Sequence, residues 1–273
     1  MNKIILHRGN TLKGVENSYE AINPDISDLN TVGLNFDNTK IIFEVDVIAK
    51  YPFIIHHTPD NIVEDVFIVT GNDESIKKKQ VWELTERQIK VLNHKSPNTK
   101  SKPMILSELL DLAKKNQYKL YLDVKVPTYK WTNVLNYIKL FKDIYTMINL
   151  IRKYHDIIDC VLAFSPLALI IFRIYMMFNY KNNNAFDLGL FWYGRFKNTI
   201  INKLYLFFLY LIVSPKVISY NLNMIKKDIS HINLLESTNN VRFYTWSIHK
   251  SKLLSEMQFL IKHKLTPVVD MFD

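Results

Sequence analysis

Cysteine is almost absent from this chain: Cys160 is the single one. One thiol excludes an internal disulfide framework and a cysteine-based zinc centre. Glycine and proline are sparse, 6 and 9 of 273 residues, which excludes collagen-like and low-complexity chains. No run of 18 apolar residues occurs, and the longest, 204–213, falls short of a bilayer-spanning helix. Met1-Asn2-Lys3 leads into an apolar run too short for a signal peptide, so the expected location is cytoplasmic, at most peripheral to a membrane. Acidic residues are in deficit: 26 Asp+Glu against 35 Lys+Arg give a net charge of +9. Such a surplus attracts nucleic acid, acidic lipid or a phosphorylated substrate. No nucleic-acid-binding motif or aromatic-basic platform accompanies it, so nucleic acid is not an expected partner.

What the chain does have is apolar mass and periodicity. Hydrophobic residues make up 48%, enough for a large core, and the length suits one eight-stranded α/β barrel of about 250 residues. Eight β-rich runs recur, at 4–6, 41–47, 53–57, 118–126, 160–164, 186–192, 216–220 and 241–248, with helical patterns between most of them. The alternation predicts βα units on a parallel sheet, that is, a TIM-type (β/α)8 barrel spanning 1–273. Helical spacing is clear over 107–113, with Ser107 as the candidate N-cap, and again over 133–154 and 253–261. Residues 58–103 are polar, Lys-rich and without a strong strand, and read as an insertion. Only five residues separate Val47 from Phe53, whereas a parallel crossover with its helix needs about 10–12. Either the helix between the second and third strands is missing, or this pair departs from parallel geometry.

Polar clusters interrupt the ends of these apolar runs: His7-Arg8-Gly9 followed by Glu16-Asn17, then Glu44-Val45-Asp46, His56-His57, and Asp123-Val124-Lys125. Residues i and i+2 of a strand face one side, so Glu44 pairs with Asp46 and Asp123 with Lys125. Charges buried in a strand are costly unless paired or metal-bound. On a parallel barrel they converge at the C-terminal mouth. Glu44, Asp46 and Asp123 would form a hard oxygen site suited to Mg²⁺ or Ca²⁺. Arg8 and Lys125 supply positive charge for an anionic substrate, and His7 and His56 suit a general acid/base pair. In His56-His57 one ring points in and the other out, so at most one of them serves the site. His94, His155, His231 and His263 read as surface or packing residues, and Cys160 as core. Together the clusters suit phosphodiester cleavage.

His-Arg-Gly, Glu-Asn, Glu-x-Asp and a strand ending in His, in this order, resemble the signature of the glycerophosphodiester phosphodiesterases, metal-dependent barrels related to phosphatidylinositol-type phospholipases C. The resemblance continues in Ala163-Phe164-Ser165-Pro166, in Thr245-Trp246-Ser247-Ile248-His249 and in the closing Val268-Val269-Asp270. It implies His7 and His56 as catalytic acid and base, Glu44, Asp46 and Asp123 as ligands of a divalent metal, and Arg8 and Lys125 as phosphate-binding residues. It further implies that Glu16 and Asn17 position these groups and that Trp246 lines the glycerol side. The implied substrate is a small glycerophosphodiester, hydrolysed to glycerol phosphate and an alcohol. Departures bear on specificity: His57 stands where the family has Asp, Asp123 where it has Glu, Ala163 lacks a hydroxyl, and His249 replaces Asn.

Two further stretches, 166–178 and 204–213, are apolar nearly all round, with Arg173 the main interruption. A helix on the outside of a barrel needs one apolar stripe. Three alternatives stand: burial under 180–200, a homodimer interface, or contact with a membrane surface. The last would suit a phospholipase C- or D-like enzyme on the same barrel. A barrel that binds phosphate ligands without turnover is the non-enzymatic alternative.

Overall fold

The computed structural model describes residues 3–11, 14–22, 40–70, 73–95, 101–128, 134–179, 186–192, 199–227 and 241–271. His231, Asn133 and most of 180–200 lie outside them.

The apolar runs form strands because their Ile, Val and aromatic residues can be buried on both faces of a parallel sheet. Ten strands are described: β1 (Lys3–Leu6), β2 (Lys40–Ile48), β3 (Phe67–Val69), β4 (Leu92–His94), β5 (Lys119–Lys125), β6 (Ile158–Ala163), β7 (Asp187–Trp192), β8 (Val217–Asn221), β9 (Arg242–His249) and β10 (Thr266–Asp270). Eight close into a parallel barrel in the order β1-β10-β9-β8-β7-β6-β5-β2. Helices α1 (Tyr19–Ile22), α2 (Leu106–Lys115), α3 (Val134–Arg152), α4 (Pro166–Asn179), α5 (Thr199–Val213), α6 (Leu222–Lys227) and α7 (Lys250–Lys262) each fall between successive barrel strands. This is the expected TIM-type (β/α)8 architecture.

The membership of the barrel differs from the expectation in one strand. Residues 53–57 do not join it. They turn back along the end of β2, with Ile55 bridged antiparallel to Val47 and Ile54 to Ile105. The short Val47–Phe53 connection leaves no room for a parallel crossover, so reversal is what the chain adopts. β10 completes the ring instead, pairing with both β1 and β9. No crossover helix is lost: the next barrel strand after β2 is β5, and α2 precedes it. That helix starts at Leu106, so Ser107 is not its N-cap; the Ile105 N–H donates instead to Glu108 Oε2 at 3.2 Å.

The insertion has a core of its own. β3 and β4 pair antiparallel, and Ile54, Val63, Phe67, Val81, Leu84 and Leu92 are buried together there. It covers the barrel beside the reversed segment.

Alternation along the barrel strands separates two cores. Ile5, Ile42, Tyr121, Cys160, Leu162 and Tyr244 fill the lower interior, while Leu6, Phe43, Val45, Val124 and Val161 face the helices. The upper interior is left to the polar residues.

Candidate active site

Strand register assembles the site. Leu6 pairs with Phe43 on one side and Val269 on the other, so the next step up places His7 between Glu44 and Asp270. Asp46 lies directly opposite Asp123 in the β2–β5 pair. A cavity of about 280 Å³ opens here, lined among others by His7, Arg8, Glu44, His57, Asp123 and Lys125. A larger hollow of about 670 Å³ lies at Tyr19, Glu86, Lys90 and Lys102 beneath the insertion. Its lining includes no barrel-strand residue and no histidine, whereas the smaller one holds the convergent charges that chemistry needs.

The His-Arg-Gly turn is tight for a steric reason. Arg8 has φ 56° and Gly9 φ 87°, in the left-handed region. A Cβ on Gly9 would come within 2.7 Å of the Ala21 carbonyl oxygen. The turn aims the Arg8 N–H at Glu44 Oε2, 2.9 Å away. The Arg8 side chain fans across three partners: Nη1 donates to Glu16 Oε2 at 2.7 Å, Nε lies 3.1 Å from Asp46 Oδ2, and Nη2 reaches the His57 ring at 2.9–3.0 Å. Asn17 clamps Asp46 from the other side.

The two adjacent histidines divide as alternation requires, but His57 is the one that faces the cavity. Ile54 is buried in the insertion core and His56 packs against it, while Phe53 and Ile55 are buried in the main core. The His56 ring sits 5.3 Å from that of Phe67 and is absent from the cavity lining. His57 Nδ1 lies 3.2 Å from Asp46 Oδ2. One tautomer satisfies both neighbours: Nδ1–H donates to Asp46 and Nε2 accepts from Arg8. The resemblance had pointed to His56, whereas the ring that lines the cavity is that of His57.

Electrostatics follow from burial and pairing. Burial opposes charge on His7, but the Glu44 carboxylate and a hydrogen bond to Asp270 outweigh it and raise its pKa to about 9. Burial also opposes charge on Asp46, yet Lys125, His57 and Arg8 hold its carboxyl well below the usual range. Asp123 is pushed up to about 7 by burial, against the pull of Lys125 and with the added repulsion of Asp46 and Glu44. Lys125 Nζ lies 3.0 Å from Asp46 Oδ1, forms an ion pair with Asp123, and stands 5.1 Å above the Phe164 ring.

The three carboxylates fit a divalent cation. Glu44, Asp46 and Asp123 are all buried and offer oxygens within 4.8 Å of one another. Asp123 Oδ1 is buried with no hydrogen-bond partner, which leaves a lone pair for a metal. Hard oxygen donors of this kind suit Mg²⁺ or Ca²⁺.

All the expected residues except His56 thus lie in or against one cavity: Trp246 lines its wall, and Glu16 and Asn17 support Arg8 and Asp46. Besides His57, Asp270 and an aromatic pair were not assigned from sequence. Asp270 bonds His7, a role that its place at a strand end next to β1 could have suggested. The stacked pair Phe164 and Phe191, centroids 4.1 Å apart, forms an apolar wall that carries no motif of its own.

The architecture defines a TIM-type barrel with an acidic, histidine-bearing mouth. Within that class it is similar to several solved structures. One, from Silicibacter pomeroyi DSS-3, is described as a candidate glycerophosphoryl diester phosphodiesterase; it shares 13% identity at a TM-score of 0.66, over 99% of this chain and 90% of that one. A phosphodiesterase from Oleispira antarctica, in complex with the product sn-glycerol-3-phosphate, shares 12% identity at a TM-score of 0.66, over 98% and 92% of the two chains. A third, from Agrobacterium tumefaciens str. C58, has the same description as the first and shares 14% identity at a TM-score of 0.62, over 99% and 93%. No family model and no curated protein matches the chain.

Proposed function

We propose that this protein is a metal-dependent glycerophosphodiester phosphodiesterase, releasing glycerol phosphate and an alcohol. The convergence of His7–Asp270, three buried carboxylates, Arg8, Lys125 and His57 on one cavity carries this reading. The similarity in fold to a phosphodiesterase holding sn-glycerol-3-phosphate supports it. The ordered motifs support it independently, since fold alone hosts many functions.

Each group has a task that its surroundings favour. Arg8 and Lys125 offset charge on the phosphate. His7, held charged and oriented by Asp270, donates a proton from Nε2 to the leaving alkoxide oxygen. His57, whose Nε2 faces Arg8, is released when the guanidinium engages phosphate, and accepts the proton of the attacking hydroxyl. That hydroxyl is water, giving glycerol phosphate directly, or the neighbouring glycerol hydroxyl, giving a cyclic phosphate that water opens in a second step with the proton transfers of His7 and His57 reversed. A divalent cation held by Glu44, Asp46 and Asp123 supplies further neutralisation of phosphate charge. Trp246 and the Phe164–Phe191 wall exclude water from one side.

The test is a panel of soluble glycerophosphodiesters with purified protein. Glycerol phosphate is expected to appear with Mg²⁺ or Ca²⁺ and to stop with chelator. Full activity in His7→Ala or Glu44→Ala, or no product with any divalent metal, overturns the assignment.

A further inference from the structure

Helix α5 carries two apolar stripes where the outside of a barrel needs one. Leu206, Leu209 and Val213 are buried. Leu204, Phe207, Phe208 and Leu211, at positions i, i+3, i+4 and i+7, form a second stripe that faces outward and is 59–64% exposed. The neighbouring α4 adds Met177 and Phe178, 64% and 77% exposed. A contiguous apolar face of this kind on a charged protein is a contact surface.

Charge selects the occupant. Beside this face Arg173 of α4 is half-buried and Lys216, just after α5, is exposed, while the acidic Asp187 is already paired by Arg242 Nη2 at 2.6 Å. Helix α3, packed beside α4, shows Lys139 and Lys142 to solvent. A second copy on this face would meet the same patch in a two-fold interface, setting basic residues against basic residues. An anionic lipid surface complements both the apolar stripe and its basic surroundings. The helices, 14 and 15 residues long, reach about 21–23 Å, short of the roughly 30 Å hydrocarbon layer. Among the described residues no helix is long and apolar enough to cross a membrane.

We propose that the outer face of α4 and α5 docks in the interface of a bilayer containing anionic lipid. The helices lie flat, with the Phe and Leu side chains inserted and the basic residues against headgroups. Phe164 and Phe191, which wall the catalytic cavity, also border a crevice with Tyr205 and Leu209 of α5.

Co-sedimentation of the full chain with vesicles tests this apart from any catalytic activity. Phosphatidylcholine vesicles are compared with vesicles carrying about 30% phosphatidylserine, at low and high salt. The anionic vesicles are expected to bind about tenfold more protein, with the excess lost at high salt. Phe207→Ser with Leu211→Ser should reduce binding about tenfold while melting temperature and turnover of a soluble substrate stay unchanged. If that pair fails to fold, Lys139→Glu with Lys142→Glu should remove the preference for anionic vesicles. No sedimentation with either vesicle overturns the proposal. So does a dimer in light scattering that Phe207→Ser dissociates, because the face would then belong to a second copy.

Discussion

Asn17 and Asp46 hold each other by two reciprocal hydrogen bonds. Asn17 Nδ2 donates to Asp46 Oδ2 at 3.0 Å, and the Asp46 N–H donates to Asn17 Oδ1 at 3.0 Å. Both residues are buried, and Asn17 has φ 61°, a conformation that Asn tolerates better than most residues. Asp46 is thereby fixed before any ligand arrives. Asn17→Ala removes both bonds and is expected to lower stability by about 2–3 kcal/mol, since one of them meets a buried carboxylate. Activity should fall by about tenfold or more, with divalent metal bound less tightly. Urea unfolding and metal titration of the variant check both. Asn17→Gly should match Asn17→Ala in activity but be the more stable of the two, because it relieves the positive φ.

Gly9 is a steric requirement rather than a chemical one. Its φ of 87°, and the 2.7 Å that would separate an added methyl group from the Ala21 carbonyl oxygen, leave no place for a side chain. Gly9→Ala is expected to cost about 1–3 kcal/mol. It should also displace Arg8, whose N–H reaches Glu44 from this turn. A variant with wild-type melting temperature and wild-type activity would refute the steric account.

The two adjacent histidines make opposite predictions. His57 contacts Arg8 and Asp46 inside the cavity, so His57→Ala should reduce kcat by about 10²–10⁴. His56 packs on Phe67, so His56→Leu should keep most of its activity and change mainly stability. Steady-state kinetics of the two variants decide between them. If His56→Leu is the inactive one, the assignment of roles must be exchanged.

That pair also marks where sequence reasoning stopped. The (β/α)8 barrel was legible because βα alternation and buried strands leave a period in the chain. The carboxylates were legible because i and i+2 share a face, so Glu44, Asp46, Asp123 and Lys125 had to meet once the strands were parallel. Residues 53–57 have the composition of a barrel strand, and nothing local in Phe53-Ile54-Ile55 distinguishes a parallel partner from a reversed one. Only the short link after Val47 carried that information, and it pointed to two outcomes. The bond from Asp270 to His7 was hidden for another reason. It joins positions 263 residues apart, and depends on β10 rather than residues 53–57 completing the ring.

Asp270 gives a prediction of its own. It bonds His7 Nδ1, which fixes the ring so that Nε2 points toward Glu44, 3.7 Å away, and into the cavity. Asp270→Asn keeps the size but loses the charge that favours protonated His7. Turnover is expected to fall by about 10²-fold or more with little change in KM, because the group acts on the proton transfer rather than on binding. A rise in KM at constant kcat would instead make Asp270 a substrate-binding residue.

Acid should unfold this protein through the two histidines that pack on Phe67 of the insertion. The rings of His56 and His94 lie 5.3 and 5.0 Å from that of Phe67, and burial pushes both pKa values down to about 4. In the unfolded chain each titrates near 6.5. Below pH 6.5 the unfolded state therefore takes up protons that the folded state refuses, and stability falls with pH until about 4. The slope is at most about 1.4 kcal/mol per pH unit for each histidine. Above pH 7 neither contributes a slope. His7 acts in the opposite direction: its pKa, raised to about 9, gives stability that is complete below 6.5 and lost as pH rises toward 9. Stability should thus peak near pH 6.5–7 as far as these three groups decide it. Urea unfolding at pH 7 and pH 5 measures the acid side. His94→Leu removes one of the two buried imidazoles, whose Nε2 has no hydrogen-bond partner to lose. The variant should lose about 1–2 kcal/mol less than wild type between the two pH values. An equal loss in both proteins would mean that His94 is not held neutral by its burial.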